Sequence, residues 1–279
     1  MAREGWCLTF SAPPLGFSNV TLFHRPAEQA DRFQRNYRNV PIAQKKSYKR
    51  IQVSNAFKVT LEQAARVTFI RDREGDIYEQ FACIPDDKYH LLIRSRVTRR
   101  LVDGSDLYHS LESLPPAGYY SLEVQSDKRK NKEKRIVQMA ICHGRFRIAR
   151  PANLAKAGYT EHIMLNCIWA QEITPGVSEP INWKLLTTHE VCCYEDAAKM
   201  VEWYSYRWYI HHHADRSIDR NQVMRLADCT FIDRNEKLLI TGSTGINKKN
   251  VMRFFVLSLT TDYKTEYYDF VIFILCVYL

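Results

Sequence analysis

The chain has 279 residues, 46% hydrophobic and 25% charged, an ordinary globular composition that excludes wholesale disorder. Forty Lys and Arg against 31 Asp and Glu leave a formal charge of +9, which favours an anionic partner, nucleic acid first and an acidic membrane surface second. The eight cysteines are scattered without a CxxC, which excludes a zinc knuckle and reads as reduced thiols.

In chain order, MAREGWCLTFSAPPLGF lacks the continuous apolar core of a signal peptide. Residues 9–25 predict strand, turn and strand, with Pro13, Pro14 and Gly16 at the turn. A basic stretch, QKKSYKRIQV, leads into VTLEQAARVTFIRDREGDIYEQF. There Arg66–Ile70 predicts a short buried strand, and the spacing of Ile77 and Phe81 predicts a helix after it. Asp72 stands just past that strand, where α/β enzymes place chemistry. Residues 89–97 (YHLLIRSRV) predict another strand, with Arg94 near its end.

From 95 to about 180 the character changes to short β-prone runs: YYSLEV, RIVQMAI, RFRIARP and IMLNCIWAQEI. A turn is expected at Cys142-His143-Gly144, and the whole segment reads as a β-rich insertion. Within it, residues 126–135 (SDKRKNKEKR) carry six basic and two acidic residues, suiting either a solvated hairpin tip or a phosphate-contacting loop. Residues 181–191 return to a buried-strand pattern. Residues 193–210 (CYEDAAKMVEWYSYRWYI) predict a helix, since Ala197, Met200, Val201, Tyr204 and Trp208 recur at three- and four-residue steps and Glu195 and Asp196 suit its first turn. Beyond Ile210 the periodicity fades. GSTGINKK lacks the GK[ST] ending of a phosphate loop, and the last 30 residues show no regular order. The apolar FVIFILCVYL, ten residues long, is shorter than the roughly 20 needed to span a bilayer.

Several of these residues suit chemistry. Asp72 serves either as one carboxylate of a metal site for phosphoryl transfer or as the N-cap of the next helical turn. Tyr204 and Arg207, three apart, share a helix face; Arg207 suits bidentate phosphate contact and Tyr204 a hydrogen bond to a phosphate oxygen. Trp183 suits stacking on an exposed base or burial in the core. The three histidines at 211–213 do not converge on a metal, because consecutive helix positions lie about 100° apart.

In this order and spacing, RDREGDIYE, HLLIRSR, a β-rich stretch, NWKLLTTHEV and YSYRWYI resemble the DDE transposases of insertion sequence family four, from about residue 12 to Ile210. The resemblance implies an α/β fold: an RNase H-like core interrupted by a β-rich insertion. The core would comprise 1–94 and 181–215 and the insertion 95–180, leaving 216–279 as an unassigned tail. It implies that Asp72 is a catalytic, metal-binding carboxylate for Mg2+, that Arg94 contacts transposon-end DNA, that Trp183 stacks on a flipped base, and that Tyr204 and Arg207 contact phosphates. The family's Glu and Lys positions fall on His211 and Ile218, and the first Asp of its triad has no counterpart in this sequence. Two of three carboxylates are therefore missing. The expected function is DNA binding by a truncated, C-terminally disrupted and catalytically inactive transposase copy. An active transposase or nuclease with a non-standard site, or a basic nucleic-acid-binding protein unrelated to transposition, are the alternatives. The expected partner is DNA, with a homodimer on it as the assembly considered and no membrane; the expected location is the cytoplasm, associated with the nucleoid.

Overall fold

The computed structural model describes residues 40–45, 47–62, 66–124, 134–177 and 179–205, together with the backbone of strand segments 16–23, 256–262 and 274–278. The protein is mixed α/β. Its strands are β1 (Gly16–Phe23), β2 (Arg66–Arg71), β3 (Tyr89–Arg94), β4 (Gly118–Val124), β5 (Arg135–Ala149), β6 (His162–Glu172), β7 (Asn182–Thr187), β8 (Val256–Asp262) and β9 (Ile274–Tyr278). Its helices are α1 (Tyr48–Thr60), α2 (Tyr78–Cys83), α3 (Leu107–Glu112) and α4 (Tyr194–Ser205). Seven strands form one sheet in the order β4-β5-β6-β7-β3-β2-β9, and β1 pairs in parallel with β8 in a separate two-stranded ribbon. In the large sheet only β2 and β3 are parallel, so both deliver their C-terminal ends to the same edge.

Strand alternation divides the core in two. On one face Ile70, Leu92, Val137, Met139, Ile141, Ile168, Ala170 and Leu185 pack under α4, whose Ala197, Met200, Val201, Trp203 and Tyr204 are buried at helical spacing. On the other, Val67, Phe69, Leu91, Ile93, Leu165 and Leu186 pack with Phe57 of α1, Phe81 of α2, and Leu107 and Leu111 of α3. Continuous apolar runs such as Phe69–Ile70 and Leu91–Ile93 follow from this two-sided burial.

Three sequence expectations are corrected. No turn occurs at Cys142-His143-Gly144: β5 runs through it for 15 residues, with Cys142, His143 and Gly144 opposite Trp169, Ile168 and Cys167. Gly144 serves the packing of a strand, since a Cβ there would lie 3.0 Å from both Leu114 and Phe146 side-chain carbons. Gly16, expected in a turn, opens β1. The last 30 residues are not without order: β8 and β9 lie in them, and β9 joins the main sheet antiparallel to β2. Segment 95–180 contributes α3 as well as β4–β6, and those three strands continue the same sheet through β7. Among the described residues no helix is long and apolar enough to cross a membrane.

Candidate nucleic-acid interface

The sequence IRDREGDIYEQF builds one end of the sheet almost residue by residue. Ile70 ends the apolar part of β2, and Arg71, 2% exposed, turns to the opposite face from Asp72. Its guanidinium donates to the Arg50 carbonyl (3.1 Å), to Ser54 Oγ and to Gln80 Oε1, tying β2 to α1 and α2. Gly75 makes room for it, because a Cβ there would stand 2.8 Å from Arg71 Cβ. Asp76, fully buried in its side chain, accepts from the Arg96 amide (2.7 Å), from Ser95 Oγ (3.3 Å) and from Arg99. Tyr108 closes this knot by donating to Ser95 Oγ at 2.9 Å. The turn after β3 is thereby fixed against the turn after β2.

Asp72 emerges from this framework. It caps the short 3-10 turn Arg73–Gly75, with Oδ1 accepting from the Arg73 amide at 2.8 Å. The same Oδ1 accepts from the Tyr204 hydroxyl at 3.1 Å and lies 4.0 Å from Arg94 Nη1. Arg94 also donates to the Asn182 carbonyl at 3.3 Å, while Trp169 Nε1 donates to Asn182 Oδ1 at 3.0 Å. Trp183 is 3% exposed and meets the Tyr204 ring edge-on, with centroids 5.0 Å apart. Four residues singled out in the sequence thus converge: Asp72 past β2, Arg94 ending β3, Trp183 on β7 and Tyr204 on α4.

The cap reading of Asp72 holds, and the same carboxylate also meets Tyr204 and Arg94. Trp183 belongs to the core beneath α4, and Tyr204 is fully buried with its hydroxyl on Asp72. Arg73 and Arg96 are exposed on the two turns beside Asp72, so the rim of this end is basic. Arg207, His211 and Ile218 lie outside the described residues, as do 125–133 of the basic loop. Its two described cations are both engaged: Lys134 lies 2.9 Å from Glu123, and Arg135 pairs with Glu172. Arg71, Gly75, Asp76 and Asn182 were not singled out by sequence reasoning. The four-residue step from Arg71 to Gly75 and the second Asp of the motif were the available signals.

Mg2+ takes six hard oxygen ligands in near-octahedral geometry, and two-metal phosphoryl transfer needs carboxylates from separate segments. The described residues at this end do not fit that requirement. Asp72 is the one carboxylate there outside the Asp76 knot and the Arg50–Glu74 pair, and its Oδ1 is committed to a hydroxyl and an amide. Among the described residues, no group of three or more His, Cys, Asp or Glu is placed to hold a metal ion. What the arrangement does offer is a cationic, hydrogen-bonding edge on a rigid base, suited to an anion. No family model matches the chain.

Proposed function

We propose that this protein is a transposase-like DNA-binding protein, related to the insertion sequence family four enzymes, that holds DNA at the Asp72 end of its sheet without cleaving it. The observation that carries this reading is the convergence of Asp72, Arg94, Trp183 and Tyr204. Asp72 and Tyr204 are 132 positions apart in sequence yet share a hydrogen bond. Residues chosen by motif and spacing alone have no reason to meet if the motifs arose by chance.

The mixed sheet, helix-covered on both faces, is the kind of scaffold that the implied RNase H-like core requires. Arg94 would meet the phosphates, Arg73 and Arg96 would add charge at the rim, and Trp183 and Tyr204 would hold the edge in shape. The chain is read as non-cleaving because the family's Glu position falls on His211 and its first Asp has no counterpart, which leaves Asp72 alone of the three carboxylates. A homodimer on DNA and a nucleoid-associated location belong to the same reading.

The test searches the DNA flanking the gene for inverted repeats, whose absence would count against the transposase relationship, and titrates the purified full chain with a duplex carrying any repeat found and with a scrambled duplex as control. Tighter binding to the repeat duplex, weakened about tenfold by Arg94→Ala, is expected from loss of a charge-assisted phosphate contact. Equal affinity for both duplexes would sink the transposase relationship and leave a basic nucleic-acid-binding protein. Nicking of the repeat duplex in Mg2+ or Mn2+ that disappears in Asp72→Ala would overturn the non-cleaving assignment.

A further inference from the structure

The outer half of β5 presents a second basic surface, away from Asp72. On the face that α4 covers, β5 contributes Val137, Met139 and Ile141, all fully buried. The next residues of the same alternation are His143, Arg145 and Arg147, and there burial gives way to exposure: His143 is half-buried, and Arg145 and Arg147 are exposed. Pairing with β6 runs unbroken from Met139 to Ala149, so no bulge reverses the direction of these side chains. Opposite them on β6 stand Asn166 and Met164, then His162, whose Nε2 accepts from Arg147 Nη2 at 3.3 Å. Met164 is 42% exposed beside them.

Cross-strand rows place this surface relative to the site already described. Arg94 pairs with Leu185, Leu185 with Ile168 and Ile168 with His143. His143 therefore stands three strands from Arg94, about 14 Å at ordinary strand spacing. Arg145 and Arg147 run from that row toward the opposite end of the sheet. Among the described residues neither arginine is paired with a carboxylate. The neighbouring acid, Glu161, receives a backbone bond through its carbonyl from the Arg150 amide and no ion pair from either arginine.

We infer that His143, Arg145, Arg147 and His162 form a second, sequence-independent contact surface for the phosphate backbone of duplex nucleic acid. Two features favour a duplex over a membrane surface. The arginines sit on the β5–β6 ladder, with the Val102 amide donating to the Arg147 carbonyl on its other side, and stand two residues or about 6.8 Å apart, which is twice the 3.4 Å axial phosphate spacing along one strand. Among the described residues the surface also lacks the broad apolar face that interfacial membrane binding uses, since Met164 and the adjoining Val102 are its exposed large apolar residues. The inference does not rest on the Asp72 end, because it concerns random-sequence duplex and different residues.

Polarisation of a labelled random-sequence duplex, titrated with the full chain over a salt series, tests it. Arg145→Gln with Arg147→Gln should weaken binding at least about tenfold and flatten the log–log salt slope by about 1.8, two phosphate contacts' worth. Arg145→Lys with Arg147→Lys should retain the slope, which separates loss of charge from loss of fold. Lys58→Gln with Lys88→Gln removes equal charge from the Asp86–Tyr89 corner elsewhere and should change the slope little. Equal losses in the arginine and lysine double variants would overturn the assignment, leaving only net charge. Arginine-dependent binding to phosphatidylserine vesicles without arginine-dependent duplex binding would overturn it in favour of a membrane partner.

Discussion

Arg71 and Gly75 show how much of the Asp72 end depends on residues that touch nothing outside the protein. A buried guanidinium is costly without partners, and the Nη groups of Arg71 find them in the Arg50 carbonyl, Ser54 and Gln80. Burial, then the positive charge of Arg50, push its pKa well below the usual arginine value, a sign of how closely those partners enclose it. This stem passes directly against Gly75, where a Cβ would fall 2.8 Å from Arg71 Cβ and 3.0 Å from Cδ. The clash is with the root of the side chain, which cannot swing away. Gly75→Ala should therefore cost about 1–3 kcal/mol, the usual range for overpacking, and lower the urea midpoint accordingly. An unchanged midpoint would mean that Arg71 is not held as described. Sequence reading found Asp72 because a carboxylate after a buried strand is a chemical signal. It missed Arg71 and Gly75 because their signal is mutual, visible only once the turn brings positions four apart into contact. Trp183 was legible both as a stacking group and as core, and burial beneath α4 identifies the second as its role in the fold.

At the scale of elements, α4 is held at one end of the sheet by a hydrogen bond and toward the other by a ring contact. Its Tyr204 reaches Asp72 at one end, and its Trp203 lies edge-on to His189 at 5.4 Å toward the other. His189 stacks on His90 of β3 at 4.1 Å and shares a 2.7 Å hydrogen bond with Thr68 of β2. Burial, then the neighbouring charge of His90, lower the His189 pKa to about 3. The folded pKa lies below the unfolded value, so between pH 6.5 and 3 the unfolded chain binds more protons. Stability is thus full above about pH 6.5 and lost as pH falls, by about 2 kcal/mol at pH 5 from this group. His90, also lowered by burial first, acts in the same direction. Urea midpoints at pH 7 and pH 5 in wild type and His189→Asn measure the effect, since the variant should lose less on acidification. Parallel losses would assign the acid sensitivity to other groups. Periodicity made α4 and the buried strands legible, because packing on one or two faces writes itself into spacing. The continuity of β5 was not: Cys142-His143-Gly144 has turn composition, and only pairing with β6 makes it strand.

For the whole molecule, the sheet links chain segments far apart in sequence to the strand that carries Asp72. β2 is flanked by β3 on one side and by β9 on the other, with Arg66 to Ile70 opposite Tyr278 to Ile274. Without β9, β2 becomes an edge strand, and its unsatisfied amides and carbonyls sit beside an all but fully buried run from Val67 to Arg71. A chain ending at residue 273 should lose roughly 0.5–1.5 kcal/mol for each backbone bond removed, and its bare edge should favour self-association. Because Asp72 and Arg71 hang from that strand, weakened end-duplex binding should accompany the lower urea midpoint. Random-duplex binding through Arg145 and Arg147 should persist at temperatures where the truncated chain stays folded, since β5 lies four strands away from β2 in the order of the sheet. An unaltered midpoint together with unaltered gel-filtration elution would show that β9 contributes nothing to β2, and would separate the fate of the C-terminal residues from that of the Asp72 end.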